Sequence, residues 1–251
     1  YTAIGMLALL MVLRIKDISK LKDSLLRKYV TFFDHPFLTL LGFIAIGVGV
    51  YFALYVPDLL TGRPIYWGDG RGVIDLQFAM FTYHSGLVAT HDFSSVWWSW
   101  PLLFSNKGYV PLWLSVTSLP NAMKSTISLL GNPAIWWTGF ACIFYTIYRA
   151  IRGKEVAAIF ISTLFLFSWL PYVFISRCTF IYHFYIAVPF IFLAVGYLIN
   201  SYWHLKWCKI AAISFFIVVI LVFAVFYNII SGVPTSTELI DKLKLFPSWY
   251  F

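Results

Sequence analysis

The chain has 251 residues, of which 61% are apolar and only 11% charged, with a net charge of +8 and a mean hydropathy of +0.83. A soluble domain carries about a quarter charged residues, so this composition excludes an ordinary water-soluble domain and makes lipid the solvent for most of the surface. The positive balance is not a nucleic-acid signal, because the cations cluster in short connections as membrane topology demands.

A spanning helix needs about 20 mostly apolar residues. The chain opens without an initiating Met on an apolar run, 1–13, that is too short to span. It reads as the end of a helix whose beginning is missing, so the chain is expected to be the C-terminal part of a longer protein. Five complete candidate spans follow at 37–57, 133–151, 155–175, 179–200 and 209–231. Pro171 and Pro189 fall within apolar segments and predict a kink or a helix end near each. The expected fold is thus an all-α integral membrane protein: five complete transmembrane helices plus one truncated helix, with one large external loop. Three regions follow from this reading: 1–57, the loop 58–132, and a C-terminal four-helix region with a short tail, 133–251.

Orientation comes from the basic residues. Arg14, Lys16, Lys20, Lys22, Arg27 and Lys28 lie in 14–36, Arg149, Arg152 and Lys154 in 149–154, and Lys206 and Lys209 around 201–209. Helix counting puts these three connections on one side, which the positive-inside rule makes cytoplasmic. The loop 58–132, the turn 176–178 and the tail 232–251 are then external.

The loop is long for a connection without structure of its own. Within 72–90, Val73, Leu76, Met80, Tyr83 and Leu87 follow helical spacing, while Asp75, Thr82 and Ser85 lie off that face. The stretch is too polar to span and reads as a helix along the outer membrane surface. Farther on, Asn132 and Pro133 form an N-cap and N1 pair for the next helix.

Several motifs carry possible chemistry. Trp97, Trp98 and Trp100 read either as an interfacial aromatic belt or, beside Ser94, Ser95 and Pro101, as a platform for a saccharide or lipid-linked substrate. Arg177 stands at the outer end of two helices, where snorkelling is the plain alternative. His183 lies about a turn into the next span, and an ionisable residue there is functional by default. With Tyr182 the two form a candidate site for an anionic head group, Arg177 supplying charge and fork geometry. Asp69, in the turn Trp67-Gly-Asp-Gly-Arg71, is a weak candidate base, whereas Asp58 and Asp92 read as solvated or capping residues. His84 and His91, seven apart with no third ligand in view, read first as loop hydrogen-bonding residues and count with Ser95, Trp97, Trp98 and Trp100 as candidate substrate-loop residues. Cys142, Cys178 and Cys208 are scattered, with no metal or disulfide spacing. The end, Phe246-Pro-Ser-Trp-Tyr-Phe251, reads as an interfacial anchor.

Taken in order, Tyr83-His84, His91-Asp-Phe-Ser-Ser with Trp97-Trp-Ser-Trp-Pro101, Gly131-Asn-Pro with Trp136-Trp137, and Leu170-Pro171 followed by Arg177 and Tyr182-His183 resemble the C-terminal region of the protein O-mannosyltransferases. The resemblance covers 58–251. It implies a membrane glycosyltransferase that moves mannose, with inversion, from a polyprenyl (dolichyl) phosphate to Ser or Thr hydroxyls of proteins on the external or luminal face. It also implies that the base is an acidic residue of a first external loop, expected outside this chain. No cofactor or metal is implied, since the lipid-linked sugar is itself a substrate. The loop 58–132 is too short and too rich in Trp to be the trefoil-repeat domain of eukaryotic members, which favours a prokaryotic-type member. Expected partners are the donor, an acceptor protein or peptide, membrane lipid, and an N-terminal half or second subunit. The expected location is a cell membrane, or the endoplasmic reticulum membrane in a eukaryote. Two alternatives stay open: a related transferase acting on a lipid or glycan acceptor, and a non-catalytic membrane subunit or transporter segment.

Overall fold

The computed structural model describes residues 36–63, 72–105 and 108–251. The first 35 residues, with the partial helix at 1–13 and the basic stretch beside it, lie outside the described residues. The chain divides into two compact units that part between Val88 and Ala89.

In the first unit, α1 (Pro36–Ala53) runs almost directly into α2 (Val56–Thr61). Gly62 closes the latter in the left-handed region, where the missing Cβ removes the usual steric cost. Helix α3 (Val73–Gly86) lies within the expected amphipathic stretch. Its first turn is completed by Asp75, whose carboxylate accepts the Gly72 backbone N–H at 2.9 Å. Tyr51 donates to Gln77 Oε1 at 2.8 Å and so ties α1 to α3.

The second unit carries most of the order. After the Trp-rich loop come β1 (Leu112–Leu119) and β2 (Met123–Leu129), then α4 (Pro133–Arg152), α5 (Val156–Trp169), α6 (Val188–Tyr202) and α7 (Lys206–Ser231). A short β3 (Thr235–Ser236) and α8 (Thr237–Lys242) follow. The hairpin β1–β2 is a departure from the all-helical expectation. Its strands alternate Ser, Val and Thr, which suits a half-solvated sheet. The turn at Pro120–Met123 puts both Asn121 and Ala122 at positive φ, as a tight hairpin turn needs. β3 adds to the free edge of β2.

Among the described residues, three helical stretches are long and apolar enough to cross a membrane: Leu41–Thr61, Val156–Phe174 and Lys206–Ser231. Val188–Tyr202 is apolar but shorter. The span expected at 179–200 is interrupted: a 3-10 turn over Ile181–Ile186 precedes α6, and Pro189 sits in the first turn of that helix instead of kinking it. Pro171 likewise ends α5 and begins the 3-10 turn Leu170–Phe174.

Helices α4, α5 and α6 pack around Ile143, Phe165, Phe184 and Ile191, all buried. Gly139 allows the closest approach, since a Cβ there would fall 1.7 Å from Ile191 Cγ2. Small residues at helix contacts are how membrane bundles bring backbones together. Inside the bundle, Ser162 donates to Thr146 at 3.3 Å. At one end of the bundle, Glu155 accepts from both Arg149 and Tyr197 and joins α4, α5 and α6.

The helices alternate in direction, so the Trp-rich loop, the 170–187 connection and the segment after α7 gather at the opposite end. The final residues are not the interfacial anchor expected from their composition. Trp249 and Phe251 are buried in the same core as the helices. Just before them, Lys244 pairs with Asp241 at 2.7 Å and holds that carboxyl below its ordinary range.

Candidate functional site

The site grows out of the way the Trp-rich loop is held. Trp97–Ser99 form a single 3-10 turn. Around it, tryptophan indoles donate to the loop from several elements: Trp169 of α5 to Trp97 O (2.9 Å), Trp137 of α4 to Leu102 O (2.8 Å) and Trp249 to Leu103 O (2.6 Å). Trp100 donates to Ser95 Oγ at 2.9 Å. A loop buried against a bundle has to satisfy its backbone carbonyls, and an indole N–H does so while its ring fills the core.

The loop is also zipped to the 176–179 connection. Ser95 N–H donates to Thr179 O (2.8 Å), and Thr179 Oγ1 donates back to Ser95 O (2.9 Å). Gly108 completes the frame at φ +71, where a Cβ would lie 2.1 Å from Ser94 O. Only glycine permits that approach.

These contacts frame an open cavity of about 1110 Å³. Its wall includes His91, Asp92, Ser94, Ser95, Trp97, Ser105, Tyr109, Tyr172, Arg177, Cys178, Thr179 and Ser248. The lining is rich in hydroxyls, with a guanidinium, an imidazole and a carboxylate. Such a wall suits a polyhydroxylated, anionic ligand: hydroxyls exchange hydrogen bonds with a sugar, and arginine forks onto phosphate oxygens. His91 accepts the Phe93 N–H on Nδ1 at 3.1 Å, which in the neutral ring puts the proton on Nε2. Its ring meets Phe180 edge-on at 5.2 Å.

The structure sorts the residues singled out by sequence. Arg177, His91, Ser95 and Trp97 come together in the cavity wall. Tyr182 and His183 are not among its lining residues. His183 is half-buried, accepts the Phe180 N–H on Nδ1 at 3.1 Å and lies in a ring stack with Tyr182 (4.2 Å) and Trp100 (6.0 Å). Trp100 is fully buried and Trp98 is exposed, and neither is among the residues that line the cavity. His84 belongs to the other compact unit and stands edge-on to Tyr83. Asp69 lies outside the described residues. Among the described residues no group of three or more His, Cys, Asp or Glu side chains could hold a metal.

Sequence reasoning missed much of the wall, including Ser105, Tyr109, Cys178 and Thr179; three further contributions show why. Asp92 brings a carboxylate into the wall, although it reads as a loop residue. Ser248 and Pro247 arrive from the end of the chain, which no local pattern announces. Tyr172 follows Pro171 directly, and the turn that proline starts is the local signal that points to it.

Residues 70–249 match the C-terminal four TMM region of protein-O-mannosyltransferase. The chain belongs to the protein O-mannosyltransferase family. Gly131-Asn132-Pro133, one of the family-like motifs, is structural: a Cβ on Gly131 would strike the Trp136 ring, and Asn132 caps α4 by accepting from Ala134 N (3.0 Å). A curated relative, the polyprenol-phosphate-mannose–protein mannosyltransferase of Corynebacterium glutamicum, is 24% identical over 194 residues, which cover 71% of this chain. The match spans 37% of that relative's length. The S. cerevisiae protein O-mannosyltransferase Pmt1-Pmt2 complex bound to the sugar donor shares the fold, with a TM-score of 0.56 and 22% identity. That likeness covers 71% of this chain and 26% of the yeast chain. Mannosyltransferase relatives and apolar helices of spanning length together make this a multi-pass membrane member of the family.

Proposed function

We propose that the chain is the C-terminal portion of a membrane enzyme that transfers mannose from a polyprenyl-phosphate donor to Ser or Thr hydroxyls of proteins. The observation that carries this reading is Arg177 in the wall of a large, hydroxyl-rich cavity, in a member of a mannosyltransferase family. The acceptor oxygen attacks the anomeric carbon as the bond to the phosphate oxygen breaks, so the sugar inverts. The leaving phosphate keeps the electron pair, and a base takes the hydroxyl proton. Arg177 stabilises the charge that builds on the phosphate. The His91 imidazole, with its proton on Nε2, is a second donor at the same cavity. Ser94, Ser95, Ser105 and Ser248 surround the sugar. The base is an acidic residue of the first external loop, as the family resemblance implies, and no cofactor takes part.

In this reading five stretches of the chain cross the membrane completely and the sequence begins within a further one. The cavity faces the external or luminal side of a cell membrane, or of the endoplasmic reticulum in a eukaryote. Arg149, Arg152, Lys154, Lys206 and Lys209 then lie on the cytoplasmic side, as the positive-inside rule requires. A second subunit or the rest of the same protein completes the active site.

The test uses the full-length protein in membranes with a labelled polyprenyl-phosphate mannose and an acceptor peptide. Arg177→Ala is expected to reduce transfer by about 100-fold or more at unchanged protein level, and Arg177→Lys to restore part of it. Transfer at the wild-type rate in Arg177→Ala sinks the proposal.

A further inference from the structure

The Trp-rich loop contains a turn that is conformationally costly and held from a distance. After the 3-10 turn at Trp97–Ser99, Phe104 N–H bonds to Ser99 O (3.4 Å) and Leu103 N–H to Trp100 O (3.2 Å). This nested pair is a Schellman motif, whose left-handed position is usually glycine. Here it is Leu103, at φ +52. A branched side chain in that region is disfavoured, and such strain persists only where the surroundings over-determine it.

Two features hold it. The Leu103 side chain is completely buried, and its carbonyl accepts the Trp249 indole N–H at 2.6 Å. Trp249 is in turn fixed among Phe226, Phe246 and Phe251. The same segment holds the residues that follow. Ser105 N–H donates to Ser248 Oγ (3.3 Å), Val110 N–H donates to Ser248 O (3.3 Å), and Phe104 packs edge-on against Phe246. Phe104, Ser105, Pro247 and Ser248 all line the cavity.

We propose that Trp249 is a positioning residue: its hydrogen bond to the strained Leu103 turn sets where Phe104 and Ser105 stand, and thereby fits one wall of the cavity to the mannose-phosphate head of the donor. The proposal rests on the reading of the cavity as the donor site. Trp249 touches no ligand and works through Leu103.

The decisive variant is Trp249→Phe in the full-length enzyme, which keeps an aromatic ring in the core and removes the indole N–H. The expected result is a donor KM raised about fivefold, the weight of one hydrogen bond, with kcat changed less than about twofold. Amide hydrogen exchange supplies a readout that does not depend on activity: peptides covering 100–110 exchange faster, while those of α4 to α7 do not. Ser248→Ala removes the acceptor of the Ser105 N–H and little volume; because Ser248 also faces the sugar it is read by exchange alone, is expected to speed exchange over 100–110, and serves if Trp249→Phe does not accumulate. Unchanged KM and exchange in folded variants overturn the proposal. Faster exchange throughout the unit also overturns it, because Trp249 is then general core packing. If the wild-type enzyme does not transfer mannose, the donor reading fails, and local exchange still decides whether Trp249 holds the turn.

Discussion

At the scale of single residues, the site is separated from its supports by what each polar atom faces. Arg177 and His91 reach the cavity wall, whereas His183 turns its Nδ1 to the Phe180 backbone and stacks on Tyr182. Adjacent motif positions in the sequence are therefore not adjacent in role. Asn132 shows the same division. Its side-chain oxygen caps α4 through Ala134 N, and its amide nitrogen donates to Val219 O of α7 at 3.0 Å. Asn132→Ala is expected to cost about 2 kcal/mol, roughly half from the cap and half from the cross-helix bond. Asn132→Asp keeps the cap and recovers part of that loss. Thermal unfolding in detergent measures both, and equal stability of Asn132→Ala and the wild type contradicts the assignment. The cap was legible from Gly131-Asn-Pro alone, because capping is local. The bond to Val219 was not, because 87 residues separate its partners.

At the scale of elements, helix contact is decided by the smallest side chain in the seam. Gly139 lies where α4 meets α6, with Ile191 filling the space a Cβ would take. The clash is with a β-branched side chain in a packed core, which cannot swing aside. Gly139→Ala is expected to destabilise the bundle by about 1–3 kcal/mol. Adding Ile191→Val should recover part of the loss, and double-mutant unfolding measures the coupling. The spans at 133–151, 155–175 and 209–231 were readable from apolar runs, and the helices lie close to those limits. The 179–200 span was readable as apolar but not as a 3-10 turn followed by a helix, since hydropathy does not register backbone geometry. The β-hairpin at 112–129 was missed in a loop dominated by tryptophan. Its alternation is short, and its turn residues, Asn121 and Ala122, are not the glycine pair that usually marks a hairpin.

At the scale of the whole molecule, charge and cavity lie at opposite ends of the second unit. Arg149 and Arg152 stand in the last turn of α4 and Lys154 just beyond it, while the cavity is built from segments before α4, after α5 and after α7. Orientation can be tested in intact cells with a membrane-impermeant maleimide, in a protein with Cys178 replaced by Ser. Ser118→Cys on the hairpin is expected to label from outside, and Arg152→Cys only after permeabilisation. Labelling of Arg152→Cys alone from outside reverses the proposed topology, and labelling of both from outside contradicts the crossing by α4. The share of the molecule needed for chemistry is also a question at this scale. The chain spans 37% of its curated relative, so catalysis is a property to be assayed in the full-length protein.

The sequence by itself determined the membrane class and most of the helical segments, and it singled out four residues that line the cavity: Arg177, His91, Ser95 and Trp97. Those readings rest on composition, hydropathy and motif spacing, all local properties of the chain. Only the tertiary structure decided that the tryptophans of the loop divide into one cavity residue, one buried core ring and one exposed ring. It also decided that the residues closing the chain enter the wall. Trp249 reaches Leu103 across 146 positions of sequence. A left-handed leucine needs such a partner because burial and one hydrogen bond must outweigh a steric cost, and that balance exists only once the bundle has brought the two segments together.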